Sequence, residues 1–375
     1  MPDASPAQNK RKSQSRIRKC FWGIITAALI LTFMEGLASI CWSIYELYAL
    51  WSDGPRAVEL REEYHCEYDS ELGWINRHGT EIIDFYGPGK SITIDEHGLR
   101  SHKNLTESLT PDPMRVICLG DSFTLGYGVD DQQTYPYVLQ KLGNGQLNVS
   151  NMGQGGYSVG QSWLWLRRLA PTLKPDIVVC VFIVEDFRRL NATRTANGFG
   201  APHFTVNGTS LAVGNTPVPE KLSPGELILQ PGTLGNTLRR SSSIARTLSL
   251  ALPDSDTASD EELLITGLLV LRKIKQVCRK QQCQVVFALT PTLPDLYGVE
   301  SKLRYEEFSH SLQDFMEREN LPFVDLQPAF LAREMQITNL FLDEEFHHYS
   351  ATGNALVATE LHNWLSRVMT GFPQP

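Results

Sequence analysis

Three short stretches of this sequence carry residue types able to do chemistry. The first, Gly120-Asp121-Ser122-Phe123, follows an apolar run and sets a serine on a tight turn. A serine exposed where a strand turns into a helix can attack as a nucleophile, and its own N–H points to where an oxyanion would form. The same triplet also suits an ordinary helix N-cap. The second stretch, Asn151-Met152-Gly153-Gln154-Gly155-Gly156-Tyr157-Ser158, is rich in glycine. Glycines let a backbone approach a ligand closely, and they also build plain turns. The third, Asp343-Glu344-Glu345-Phe346-His347-His348-Tyr349-Ser350, places histidine a few residues after acids and shortly before Gly353. Such a histidine serves either as a general base oriented by a carboxylate or as part of a solvated acidic turn. Metal binding by His347 and His348 is disfavoured, because adjacent side chains diverge and no further ligand spacing accompanies them.

The elements around these stretches determine whether they can meet. From Met114 onward, strand and helix patterns alternate. Arg115–Leu119, Leu147–Met152, Ile177–Val184, Gln284–Leu289 and Pro322–Leu326 read as strands. Helix patterns run over Tyr135–Leu142, Gln161–Leu169, Glu261–Arg279, Lys302–Glu319 and Gly353–Val368. Apolar runs without polar alternation, separated by helices, predict a parallel sheet covered on both faces. Ligands bind such sheets at the carboxyl ends of the strands, where the chemical stretches fall. Residues 195–257 break the pattern with Gly, Pro, Ser and Thr, short alternating stretches at His203–Val206 and Ser210–Val213, and a helix pattern at Thr233–Leu250. They read as an insertion or lid. Residues 52–110, full of turn signals around candidate strands such as Ser91–Ile94, read as a small β-rich prelude.

The N-terminal region is different in kind. Residues 1–20 carry six basic side chains against Asp3, so the −8 of the whole chain divides into +5 there and −13 over the remaining 355 residues. So acidic a body excludes a nucleic-acid binder. Residues 21–45 are apolar apart from Glu35 and are long enough to cross a bilayer. They exceed the 7–15 residues of a signal-peptide core, and Trp42, Tyr45, Tyr48 and Trp51 follow as an interfacial belt. An acid in mid-membrane costs about 2.5–3.5 kcal/mol, which the rest of the span offsets. Basic residues before the span and acidic ones beyond it predict a cytoplasmic tail and an exported body, periplasmic or extracellular, on a single-pass tether. Among the seven cysteines, Cys278 and Cys283 have a spacing compatible with a short-loop disulfide.

Taken together and in this order, Gly120-Asp121-Ser122-Phe123 and His348-Tyr349-Ser350-x-x-Gly353 resemble the SGNH (GDSL-type) esterase/lipase superfamily. The resemblance covers residues 114–370 with the 195–257 insertion set aside, and implies a flavodoxin-like three-layer α/β/α fold and hydrolysis or transfer of acyl esters. It makes Ser122 the nucleophile, His348 the base and Glu345, three residues before it, the triad acid, with Asp343 as the fallback. Ser122 and Gly156 would supply backbone oxyanion donors. One block departs from the family pattern. Where the family has Gly-x-Asn-Asp, with the Asn amide donating to the oxyanion, this chain has Ile183-Val184-Glu185-Asp186. An ionised Glu185 cannot donate, and its charge opposes an oxyanion; one lost donor costs on the order of 10²–10³ in rate. Asn191, Arg188 or Arg189 could fill the position, or Glu185 could be protonated.

The resemblance implies no metal and no organic cofactor. An exported location favours acylated glycans or lipid esters over cytosolic metabolites as substrates. An O-acyltransferase acting on an envelope polysaccharide, or a non-catalytic carbohydrate-binding module on the same fold, are the rival readings. The sequence does not set the oligomeric state.

Overall fold

The computed structural model describes residues 6–52, 62–101, 110–195, 198–208, 210–223, 260–342 and 348–370. They fall into two units. In the first, helix α1 (Pro6–Ser52) contains the apolar span Arg18–Cys41, 24 residues with a mean hydropathy of 2.0 and no buried side chains. That length and composition fit a single membrane anchor or a signal sequence. The side chains of Trp42, Tyr45, Tyr48 and Trp51 lie outside the described residues, as does the helix pattern at Thr233–Leu250.

The second unit begins with a short helix α2 (Glu62–His65) and the antiparallel hairpin β1 (Cys66–Asp69) and β2 (Gly73–Asn76). Strands β3 (Glu81–Ile82), β4 (Ile92–Ile94) and β5 (Arg100–Ser101) follow. Next come β6 (Met114–Gly120), α3 (Ser122–Leu125), α4 (Tyr135–Leu142), β7 (Leu147–Gly153), α5 (Val159–Leu173), β8 (Ile177–Phe182) and α6 (Glu185–Arg188). The predicted insertion contributes the hairpin β9 (His203–Asn207) and β10 (Ser210–Gly214). The chain continues with α7 (Asp260–Gln281), β11 (Gln284–Leu289), α8 (Leu293–Tyr297), α9 (Val299–Glu319), β12 (Phe323–Asp325), α10 (Gln327–Leu331) and α11 (Ala351–Thr370).

The central sheet runs β12-β11-β8-β6-β7-β5-β4-β3. Its first five strands are parallel, in the flavodoxin-like order, and the last three continue it antiparallel. Part of the β-rich prelude is therefore built into the edge of the main sheet, through the pairing of Arg100 with Asn151. Alternate strand residues feed two cores, as the period of a strand requires. Ile117, Leu119, Val178, Cys180 and Phe287 pack with α5, α7 and α9. Val116, Cys118, Val179, Val181 and Val286 pack with α4, α10 and α11. Three layers result. Cys278 and Cys283 are free thiols, and no bridge links them.

The β1–β2 hairpin contains a fully buried histidine. Asn76 Nδ2 donates to Gly98 O (3.0 Å) and Gly153 O (3.3 Å), so its Oδ1 faces His65 Nδ1 (3.2 Å) and Nδ1 carries the proton. His65 Nε2 has no described partner, and burial lowers the imidazole pKa from 6.5 to about 4. Between those values the unfolded chain binds the extra proton, so the stabilisation is complete above pH 6.5 and is lost as pH falls towards 4. The loss amounts to about 3 kcal/mol. Denaturant unfolding measured from pH 7 to pH 4 should show this slope, and His65→Gln should flatten it.

Candidate active site

Strands β7 and β8 flank β6, and their connections leave in opposite directions, which opens a crevice at the carboxyl end of β6. Ser122 stands there. At Gly120 an added Cβ would lie 2.2 Å from Thr124 Oγ1 and 2.4 Å from Val181 O, so only glycine allows the strand to turn so close to β8. Asp121 Oδ1 caps the turn by accepting from Phe123 N at 2.9 Å. The N–H groups of Gly126 and Tyr127 then donate to Ser122 O at 3.0 and 3.1 Å. From the sheet edge, the buried Arg100 pairs with Asp131 at 2.8 Å and donates to the carbonyls of Leu125 (2.9 Å) and Gly126 (2.5 Å). The serine therefore sits on a fixed turn, 7% exposed.

His348 reaches it from the other end of the chain. Its Nε2 lies 2.8 Å from Ser122 Oγ. A bridge between Phe341 and Tyr349 and a bond from Leu342 N to His348 O (2.7 Å) hold the histidine backbone in extended form. The Tyr349 hydroxyl ties this segment to the end of β11, donating to Pro291 O at 3.0 Å and bonding Thr290. Ser350 Oγ caps α11 by accepting from Gly353 N (3.2 Å), and Asn354 Oδ1 accepts from Tyr135 N (2.9 Å) of α4. Tyr127 stacks on the imidazole, with ring centroids 5.0 Å apart, and Phe123 flanks it at 4.9 Å. Glu345 and Asp343, expected as the acid, lie outside the described residues.

Gly156 adopts φ +72°, a conformation strained for any residue with a Cβ. Its loop is braced from the β1–β2 hairpin. Trp74 Nε1 donates to Gly155 O at 3.0 Å, the Tyr157 hydroxyl donates to Trp74 O, and Gln161 Nε2 donates to Leu72 O at 2.8 Å. A capping box between Ser158 and Gln161 starts α5 immediately afterwards. Among the described residues, no acceptor takes the amide of Ser122 or of Gly156. An N–H group with no partner among the described residues, such as that of Ser122 beside its contact with His348, can receive the negative oxygen of a tetrahedral intermediate.

The structure separates the residues of the third block. Glu185 opens α6, is half exposed, pairs with Arg188 at 3.5 Å, and lines a cavity of about 170 Å³ with Thr292, Asp295 and Arg304. Asn191 Oδ1 meets His203 Nε2 at 2.7 Å. Arg189 turns inward: its Nη1 donates to Asp186 Oδ1 (2.6 Å), Tyr157 O (3.1 Å) and Asp121 Oδ2 (3.2 Å). Asp186 Oδ2 in turn accepts from Ile183 N at 3.1 Å. Burial, followed by the charge of Asp121, pushes the Asp186 carboxyl well above its usual range, and Arg189 opposes that rise.

The profile of the GDSL-like lipase/acylhydrolase family matches residues 118–356, well over half of the chain. The chain belongs to that family. It is a hydrolase of ester bonds. No curated protein matches it. Its fold is similar to solved structures of low identity. One is a G-D-S-L family lipolytic protein from Veillonella parvula, with 16% identity, covering 68% of this chain and 99% of that one, at a TM-score of 0.41. Others are an acetyl xylan esterase (16%, 68% and 99%, 0.40) and a lipase/acylhydrolase from Enterococcus faecalis (14%, 67% and 96%, 0.37).

Several supporting residues carried no signal of their own in the sequence. Trp74 sits in a turn-rich stretch 81 residues before its partner, and Arg100 among short strands; only the fold, through the β1–β2 hairpin for one and the sheet edge for the other, brings them to the site. Trp74→Phe keeps the ring packing and removes the bond to Gly155 O. It should cost about 1 kcal/mol in denaturant unfolding and lower kcat roughly tenfold with KM unchanged, less than the ~10²-fold cost of a 1 Å displacement.

Proposed function

We propose that this family member is a membrane-anchored serine esterase whose body lies outside the cytoplasmic membrane and whose substrates are acylated glycans or lipid esters. The observation that carries the catalytic part is the 2.8 Å contact between His348 Nε2 and Ser122 Oγ at the carboxyl end of β6. For Nε2 to accept from the hydroxyl, the neutral imidazole carries its proton on Nδ1, where Glu345, or failing it Asp343, orients the ring. Ser122 Oγ attacks the ester carbonyl as its proton passes to Nε2. The oxyanion sits on the N–H groups of Ser122 and Gly156. The intermediate collapses, His348 protonates the departing alkoxide, and an acyl-serine remains. Water then attacks the acyl-serine, gives its proton to His348, and releases the acid while Ser122 regains its own. The ring of Tyr127, stacked on His348, lowers the energy of the transient imidazolium.

The anchor reading rests on the Arg18–Cys41 span and the basic residues before it. With the span cytoplasmic at its start, the hydrolase meets only substrates on the outer side, which favours envelope glycans and lipids.

Ser122→Ala should lower turnover of a short-chain aryl ester on the order of 10⁴–10⁶-fold and abolish labelling by a fluorophosphonate; full activity would remove the mechanism. Glu185→Asn should raise kcat if the side chain at this position reaches the oxyanion, and leave it unchanged if it stays with Arg188. A large loss instead would give the carboxylate a role of its own. Hydrolysed and transferred product, measured with and without a sugar acceptor, separates an esterase from an O-acyltransferase.

A further inference from the structure

We infer that Arg189 is a positioning residue that holds the two backbone oxyanion donors at a fixed separation, an inference that rests on the assignment of Ser122 and Gly156 above. One nitrogen, Nη1, bonds the Asp121 carboxylate one residue before Ser122 and the Tyr157 carbonyl one residue after Gly156. The gap between the two loops therefore cannot exceed the two bond lengths laid end to end. Asp186 fixes the guanidinium from the third side at 2.6 Å, and itself accepts from the N–H of Ile183, the residue following β8. Loops from β6, β7 and β8 thus converge on a single side chain. The two carboxylates are nearly inaccessible, 2% exposed each, and the arginine is 28% exposed.

Two physical consequences bear on catalysis. An oxyanion needs both donors 2.7–3.1 Å from where its charge develops, and the donors lie on separate loops joined at their base by the bond from Gln154 N to Gly120 O (3.2 Å); beyond that point Arg189 ties them. A single charged nitrogen shared by acceptors on both loops ties them through charge-assisted hydrogen bonds. In addition, Asp121 places a buried negative charge one residue from the nucleophile, where it would oppose a developing oxyanion; the guanidinium offsets it. In a chain whose third block holds Glu185, the two remaining donors carry the whole oxyanion, so their placement matters more.

The test compares full-length Arg189→Gln, Arg189→Lys and Ser122→Ala with the parent. A fluorophosphonate titrates competent serines, so kcat can be expressed per titrated site; KM and thermal midpoint are measured alongside. Arg189→Gln should lower kcat per titrated site by roughly 10²-fold, the cost of about 1 Å of misplacement, with KM within about twofold. The rate of serine phosphonylation should fall in parallel. Arg189→Lys, which keeps the charge but places its nitrogen on a shorter side chain, should recover part of the loss. A purely structural role would lower the midpoint and the number of titratable sites while leaving kcat per site unchanged, and that result overturns the inference. An inactive Ser122→Ala beside an unimpaired Arg189→Gln overturns the inference alone; an active Ser122→Ala overturns the serine assignment and this inference with it. Should Arg189→Gln fail to fold, Asp186→Asn loosens the same clamp with an isosteric side chain and should give a smaller kcat loss of the same kind.

Discussion

The site depends on the parting of the chain on either side of β6. Because β7 and β8 flank that strand and their connections leave in opposite directions, backbone from three neighbouring strands ends at one crevice with nothing regular between them. An open crevice is useful only if its walls keep their distance. A hydrogen-bonded ladder stops at the strand ends, so side chains must take over, and in this molecule they do so from both directions. Arg189 works from within the crevice, while Trp74, Asn76 and Arg100 work from the segment that precedes the sheet.

That preceding segment is thereby more than an introduction to the domain. Its hairpin presses on the glycine loop through the Trp74 indole and the Asn76 amide, and its last strand sends a buried arginine under the helix that carries Ser122. It also removes the exposed edge that β7 would otherwise present, since β5, β4 and β3 complete the sheet with short antiparallel strands. One segment stabilises both loops of the site, and a buried neutral histidine at its base makes that support sensitive to acid.

Much of this architecture was legible in the residues, and the rest was not, for identifiable reasons. Gln284–Leu289 and Tyr135–Leu142 have the predicted bounds, because an unbroken apolar run between polar ends, and an amphipathic stretch after Thr134, each admit one reading. The strand expected to run to Val184 stops at Phe182 instead. Ile183 is buried and apolar, but it belongs to a turn held by Asp186. Hydrophobicity records burial there, not extension. Strands of two or three residues such as Glu81–Ile82 have too little period to show that they would join the central sheet. At the site, Ser122 and His348 stood out because their local sequences are unusual, and His348 Nε2 lies 2.8 Å from Ser122 Oγ. Arg189 was noticed only as a stand-in donor; its actual partners at 121, 157 and 186 come from three strands, and no local pattern encodes such a meeting.

The contact between Ser122 and His348 spans 226 positions, and the bond from Tyr135 to Asn354 spans 219. A chain emerging from its N-terminal end therefore carries Ser122 long before it carries His348. Contacts of such separation carry a large loop-closure entropy, which slows folding. The contact between Ser122 and His348 can form only once both ends of the domain exist, so it reports that the whole sheet and its last helix have come together.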